Sequence, residues 1–300
     1  MNEEKLIFIV SQPRAGSTYV QNLLSNNDKV NTVSEPWVML ALAPFIKTEL
    51  IKSTYDYNLA MDAFLDYLNK CNFEINDEIK SFALKFYDPL VQGYEYVIDK
   101  TPRYWEILDE LIELFPESKF VIVKRNPLNV AKSIIKTWEI KSLDKLNHYR
   151  RDLLMAPYKL NEFCLKHETN NNVYIVQYEE LLKNPSIQVK SIYDWLGVRF
   201  KESILETSEN NKFKGKYGDP YQNDRDKIDR KLSKPFKDFL SGYCDFLGES
   251  FLNSYGSYSP DNLKSTNAFN YFLELGDQFH KNHSIKKSLN LRLRRLFINY

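Results

Sequence analysis

Residues 5–18 read Lys5-Leu6-Ile7-Phe8-Ile9-Val10-Ser11-Gln12-Pro13-Arg14-Ala15-Gly16-Ser17-Thr18, and they decide the fold. The unbroken apolar run from Leu6 to Val10 has the length and composition of a strand buried on both faces. After it the chain turns through Pro13 to Gly16. It then enters a segment, Ser17–Ser25, whose Tyr19, Val20, Leu23 and Leu24 share one helical face. A strand that passes through a tight turn into a helix leaves the first helical N–H groups without intrahelical acceptors, at the positive end of the helix dipole. Such a turn is an anion cradle. Gly16 lets the backbone come close to the anion, Ser17 and Thr18 add hydroxyls, and Arg14 adds a cation. A capped helix start with an exposed arginine is the plainer reading of the same residues.

Working outward, strand and helix patterns alternate. Val30–Val33 predicts a short strand, 59–68 a helix, 94–98 a strand, and 104–115 a helix stopped by Pro116. Lys119–Lys124 (Lys-Phe-Val-Ile-Val-Lys) predicts a central strand. Asn126-Pro127 opens a helix reaching Trp138, with proline at an early helical position. A long polar helix is expected over 143–166, a strand at Val173–Gln177, and a helix at Pro185–Leu196 ended by Gly197. This order predicts an α/β fold of the P-loop type, three layers with a central parallel sheet flanked by helices. Residues 210–227 read as a long polar loop and 228–247 as a helix. The stretch 281–300 carries six Lys or Arg and no acid, and reads as a solvated amphipathic helix. The expected organisation is an α/β domain over 1–252 with a helical extension, 253–300, packed on it.

Composition narrows the class. The chain has 300 residues, 43% of them hydrophobic and 27% charged, enough for a sizeable core, which excludes disordered and collagen-like chains. Forty-one Lys and Arg against 40 Asp and Glu give a net charge of +1, which argues against a whole surface devoted to nucleic acid and leaves room for a local basic pocket. Cys71, Cys164 and Cys244 are far apart and form no CxxC or Cys/His cluster. No disulfide framework and no metal site are expected, and all three read as buried small hydrophobes in a reducing compartment. The opening Met-Asn-Glu-Glu-Lys with its short apolar run does not match a secretory leader. No stretch of about 20 apolar residues occurs. The expectation is a cytoplasmic protein with no membrane span.

A second anion site lies at Lys124-Arg125-Asn126-Pro127, followed by Ser133. Arg125 ends a strand, where ligands bind in open α/β sheets, and its guanidinium forks onto a phosphate; Ser133, two helical turns on, adds a hydrogen bond. A helix cap with a back-bonded serine is the plainer reading. The ATP-type loop has the form Gly-x-x-x-x-Gly-Lys-Ser/Thr. Here Ser17 follows Gly16 and the cation stands before it, at Arg14. Two separated phosphate sites without that lysine fit 3′-phosphoadenosine 5′-phosphosulfate (PAPS), whose product is PAP.

Over residues 5–200 the chain resembles the PAPS-dependent sulfotransferase family, closest to its bacterial and tyrosylprotein-sulfotransferase-like branch. Pro13-Arg14-Ala15-Gly16-Ser17-Thr18 resembles the family's Pro-Arg-Ser-Gly-Thr-Thr loop, and Asp99-Lys100-Thr101-Pro102 its Asp-Lys-Thr-Pro segment. Phe115-Pro116 into Val123, and Gln177-Tyr178-Glu179-Glu180-Leu181 with Pro185 and Trp195-Leu196-Gly197, follow its further motifs. The resemblance implies that Pro13, Arg14, Ala15, Gly16, Ser17 and Thr18 hold the 5′-phosphosulfate and that Arg125 and Ser133 hold the 3′-phosphate. It adds Tyr178 to the nucleotide site. It also implies that Lys214 and Lys216, in a glycine-bearing segment over 212–220, touch the 3′-phosphate; an ordinary surface loop is the other reading of that segment. Ala15, Ser17 and Lys124 depart from the common pattern.

Sulfuryl transfer to a hydroxyl needs a base to take the acceptor proton. Glu35, in Ser34-Glu35-Pro36-Trp37, lies 21 residues after Arg14, where the resemblance implies the catalytic glutamate of the tyrosylprotein-type branch. The histidine used as base by the steroid and phenol branch has no counterpart before His148. Arg14, with Lys100, is expected to meet charge on the leaving phosphate oxygen; Lys100 as a surface lysine is the alternative. No metal is expected in the reaction. The acceptor, a carbohydrate, lipid or small metabolite, is expected to contact residues 36–95 and 138–170. Of the aromatics there (Trp37, Phe45, Tyr55, Tyr57, Phe64, Phe82, Phe86, Tyr87, Tyr94, Trp138) most are expected in the core. Two other functions fit the same residues: an ATP-dependent small-molecule kinase, and a PAP- or PAPS-binding protein without turnover.

Overall fold

All six residues of strand β1 (Leu6–Ser11) are buried, because it forms the middle of a five-stranded sheet. The computed structural model describes residues 1–33, 35–47, 55–206, 232–256 and 266–276. The other strands are β2 (Val30–Val33), β3 (Tyr96–Lys100), β4 (Lys119–Lys124) and β5 (Val173–Gln177). Their order is β2-β3-β1-β4-β5, and every pairing is parallel. Parallel neighbours need crossover connections, and helices supply them.

Alternation along the strands gives the sheet two apolar faces. Ile7, Ile9, Ile98, Val121, Val123 and Val176 pack with Val20, Leu23 and Leu24 of the helix Ser17–Ser25 and with Val189, Ile192 and Leu196 of the helix Pro185–Leu196. On the other face the Phe8 ring meets Tyr104 at 5.9 Å, Phe115 at 5.4 Å and Phe120 at 5.3 Å, and Phe120 meets Phe163 at 6.4 Å. That face is covered by the 3-10 helix Pro102–Ile107 and the helices Leu108–Leu114 and Ala156–Lys166. The three-layer P-loop-type fold expected from the sequence is therefore the one observed. Each fully buried aliphatic or aromatic side chain of β1 contributes about 1.5–3 kcal/mol, so a charge at Ile9 would break the sheet at its centre.

The described residues fall into two compact units, one spanning 1–125 and 156–206, the other 126–155, 232–256 and 266–276. The sheet belongs to the first. The second is built on the helices Pro127–Thr137 and Lys234–Leu247 and on helical residues 267–276. Phe239, Tyr243, Phe269 and Phe272 cluster in it, and Arg150 donates to the Phe272 carbonyl at 2.7 Å.

Several elements differ from the sequence reading. β3 runs to Lys100, two residues past the expected end, because Asp99 and Lys100 are buried with partners instead of marking a solvated turn. The single helix expected over 143–166 is three: Leu143–Leu146, Arg150–Leu154 and Ala156–Lys166, separated by a 3-10 turn and by Pro157, which favours a helix start. The helix Ile75–Val91 was hidden by Pro89 and by Phe82 and Phe86, which break the amphipathic pattern by facing solvent. Of the ten aromatics expected mostly in the core, only Tyr87 is buried; Phe45, Tyr55, Phe64, Phe82, Phe86, Tyr94 and Trp138 are exposed. The helices Tyr57–Lys70 and Ile75–Val91 bury narrow stripes, Met61 and Leu68 on one and Ile79, Ala83 and Tyr87 on the other, which leaves their remaining aromatics outside. Cys71 is exposed, against expectation, while Cys164 and Cys244 are buried. Among the described residues no helix is long and apolar enough to cross a membrane.

Candidate active site

The turn after β1 is held by its own backbone. Ser11 Oγ donates to the Gln12 carbonyl at 2.7 Å, and the Ala15 amide donates to the same oxygen at 3.1 Å. Arg14 has φ 71° and Gly16 φ 98°. Tyr19 and Val20 donate to the Gly16 carbonyl at 3.0 and 3.2 Å, so Gly16 is the helix N-cap and the amides just inside it are the ones a helix leaves without acceptors. The left-handed conformation costs an L-residue about 1–2 kcal/mol. Arg14 carries that strain at the position expected to do chemistry.

Gly16 is required for a second reason. A Cβ built there would lie 2.1 Å from Cε2 of Tyr178, the first residue after β5. Tyr178 stands edge-on to Tyr19, with ring centroids 6.4 Å apart. The Arg125 guanidinium lies over the Tyr178 ring at 4.8 Å, and Arg125 Nη1 donates to the Arg14 carbonyl at 2.9 Å. Burial pulls Arg125 below its ordinary pKa, opposed by Tyr178 and Glu179 and reinforced by Arg14. It stays protonated all the same. Its Nε is buried with no hydrogen-bond partner among the described residues. Arg14, Gly16, Arg125 and Tyr178, from the C-terminal ends of β1, β4 and β5, thus come together.

Glu35 and Lys100 also meet. Lys100 Nζ lies 2.7 Å from Glu35 Oε1, although the two residues are 65 positions apart. The lysine is 1% exposed and the glutamate 14%, so this is a buried ion pair open on the carboxylate side. Glu35 Oε2 accepts from Trp37 Nε1 at 3.2 Å, and Arg103 packs over the Trp37 ring at 5.9 Å. Trp37 is itself left-handed, with φ 55°. Lys100 pairs with Ile9 in the β1–β3 register, which sets it at the same end of the sheet as the turn after β1.

Beneath the pair sits Asp99, wholly buried. Its Oδ2 accepts from Tyr87 at 2.5 Å and Tyr104 at 2.7 Å, and its Oδ1 accepts from Thr101 at 2.8 Å. Burial raises its pKa, and the three hydroxyl donors and neighbouring Lys100 pull it back.

Ser133 lies in the second unit, half-buried on the helix Pro127–Thr137. Lys214 and Lys216 lie outside the described residues, as do the loop expected over 210–227 and the basic stretch 281–300. The bond from Trp37 to Glu35 and the place of Tyr104 beside Asp99 went unread in the sequence; a tryptophan two residues from the glutamate, and the aromatic pair Tyr104-Trp105 just after Asp99-Lys100-Thr101-Pro102, were the available signals. Among the described residues no group of three or more His, Cys, Asp and Glu could hold a metal ion.

The parallel sheet with its central first strand, and the turn that follows it, put the chain in the class of P-loop-type α/β proteins. Within that class it belongs to the sulfotransferase family, whose model matches residues 7–202. Nodulation protein NoeE of Sinorhizobium fredii is 32% identical over 141 residues, covering 45% of this chain and 32% of that protein. Protein-tyrosine sulfotransferase 2 of Gallus gallus is 26% identical over 216 residues, covering 69% of this chain and 55% of that protein. The chain therefore spans between about a third and just over half of the length of these two relatives. A sulfotransferase structure from Alicyclobacillus acidocaldarius shares the fold, with TM-score 0.51, 12% identity, and coverage of 86% of this chain and 97% of that one.

Proposed function

We propose that this protein transfers the sulfuryl group of PAPS to a hydroxyl of a carbohydrate, lipid or small-metabolite acceptor. The observation that carries the reading is the buried Glu35–Lys100 pair, set beside the strand that feeds the anion-binding turn. Family membership and the motifs at 13–18, 99–102 and 177–181 support PAPS as the donor.

PAPS supplies a sulfuryl group on a phosphate leaving group. The turn at Pro13, Arg14, Ala15, Gly16, Ser17 and Thr18 binds its 5′ end through backbone N–H groups and hydroxyls. Arg125, backed by Tyr178 and with Nε still to be satisfied, takes the 3′-phosphate, with Ser133, Lys214 and Lys216 as further contacts. Glu35 accepts the acceptor's proton as the new oxygen–sulfur bond forms and the bond from sulfur to the 5′-phosphate oxygen breaks. As Glu35 becomes neutral, Lys100 loses its anionic partner at the moment an anion develops on the leaving oxygen. One ammonium therefore compensates both ends of the displacement, with Arg14 as the second cation. This is electrostatic stabilisation in a buried site, where fixed charges act most strongly.

The test is turnover of labelled PAPS against a panel of acceptor classes, with Glu35→Gln beside the wild type. The amide keeps the size of the side chain and one oxygen, which can accept from either Lys100 or the Trp37 indole, and loses the proton acceptor. Turnover should fall by about two to four orders of magnitude, with PAP affinity retained. Near-normal turnover removes Glu35 from the reaction and leaves it a structural partner of Lys100. Thermal stabilisation by ATP–Mg²⁺ and not by PAP would favour the kinase reading. PAP binding without turnover on any acceptor would favour a binding protein.

A further inference from the structure

Tyr104 has no part in that scheme, yet it is fully buried and its hydroxyl links two segments. It donates to Asp99 Oδ2 at 2.7 Å and accepts from the Met39 amide at 3.0 Å. Met39 is the second residue of the helix Val38–Leu42, which begins just after the left-handed Trp37 and so continues the turn that bears Glu35. Asp99 directly precedes Lys100 in β3. A single hydroxyl therefore ties the backbone of the turn carrying Glu35 to the strand end carrying Lys100.

We propose that Tyr104 is a positioning residue that fixes the Glu35 turn against Lys100 through the relay Met39 N–H to Tyr104 O–H to Asp99 carboxylate. The proposal rests on the reading of Glu35 and Lys100 as reacting groups. The direction of the relay is set by chemistry. An ionised carboxylate has no proton to give, so the Tyr104 proton is committed to Asp99 and its lone pairs face the Met39 amide. In a buried setting each bond polarises the next. Burial holds the Tyr104 phenol well above its ordinary pKa, with Asp99 adding to the shift, so it remains a donor.

The structure supplies its own control. Tyr87 is equally buried and donates to the same Asp99 oxygen at 2.5 Å. Its hydroxyl has no described hydrogen bond to residues 35–42. Tyr104→Phe and Tyr87→Phe each remove one hydroxyl from Asp99 and keep the ring, but only the first cuts the tie to the Glu35 turn.

The experiment compares the two full-length variants in kcat on labelled PAPS with the acceptor the wild type uses best, in PAP affinity, and in hydrogen exchange at the Met39 amide. A misplacement of about 1 Å can cost 100-fold in rate, so Tyr104→Phe should lose roughly 10- to 100-fold in kcat, with PAP affinity unchanged and faster Met39 exchange. Tyr87→Phe should keep kcat and Met39 protection while losing comparable thermal stability. Equal kcat loss in both variants overturns the proposal, since Asp99 would then act only through general stability. Unchanged kcat in Tyr104→Phe overturns it as well. If the wild type transfers sulfuryl to no acceptor, the functional reading fails separately. Met39 exchange then decides whether Tyr104 holds the turn: faster exchange supports it and unchanged exchange overturns it.

Discussion

Gly16→Ala tests the architecture of the proposed anion-binding turn at its tightest point. Two independent costs can be worked from the structure. At φ 98° an alanine is strained, and left-handed backbone costs an L-residue about 1–2 kcal/mol. The new methyl would also lie 2.1 Å from Tyr178 Cε2 and 2.4 Å from Cδ2, so the ring must move. Overpacking of this kind costs about 1–3 kcal/mol. The sum, roughly 2–5 kcal/mol, is less than the stability of most domains, so the variant should fold but unfold at lower urea. Displacing Tyr178 removes the ring beneath Arg125, and with it the contact that steadies the Arg125 bond to the Arg14 carbonyl. The assay is urea denaturation with and without PAP. PAP at 100 times its dissociation constant should add about 2.7 kcal/mol to the wild type and much less to the variant. In a Tyr178→Ala background the clash is gone, so Gly16→Ala should cost only the conformational part, about 1–2 kcal/mol. Wild-type stability with the PAP shift intact would refute the reasoning. The same cost in both backgrounds would refute the role of the ring.

Arg125→Ala should weaken PAP more than adenosine 5′-phosphosulfate, which lacks the 3′-phosphate, by the roughly 1.5–3 kcal/mol of a charged hydrogen bond. Both ligands should lose some affinity, because the same guanidinium holds the Arg14 carbonyl; equal weakening in calorimetry would deny it a 3′-phosphate contact. Thiol chemistry separates the cysteines: a maleimide at pH 8 should label exposed Cys71 rapidly and leave Cys164 and Cys244 until the chain unfolds. Burial pushes the Cys164 thiol up to about 11 and so depletes its thiolate. Mass spectrometry showing three equally fast sites would contradict the packing around the helix Ala156–Lys166.

The passage from strand through turn to helix at 13–18 was legible because its signals are local: an apolar run, a glycine and an amphipathic helical face follow one another in sequence. Arg125 was legible because it ends a strand whose pattern is unambiguous. That Arg14 and Trp37 are left-handed was not legible, since neither residue type favours that region and both are held there by their surroundings. Glu35 and Lys100 could each be singled out by position, but their contact is set by the parallel pairing of β2, β3 and β1, which no local pattern encodes. Tyr87 and Tyr104 look like any core aromatic in a hydrophobicity pattern. Their hydroxyls acquire meaning only when three segments converge on Asp99. The exposed aromatics of 57–91 misled for the complementary reason: ring content predicts burial only where a partner face exists.

The contact between Gly16 and Tyr178 has a consequence for the order in which the protein is made. On the ribosome the loop sequence emerges early, ahead of both strands that will flank β1. The ring that backs it arrives only after β5, the last strand of the sheet. A chain halted or cut before Tyr178 carries every residue of the loop motif and lacks its support. The packing of the ring against Gly16 therefore forms only when synthesis has passed that residue, which ties the finished turn to completion of the sheet.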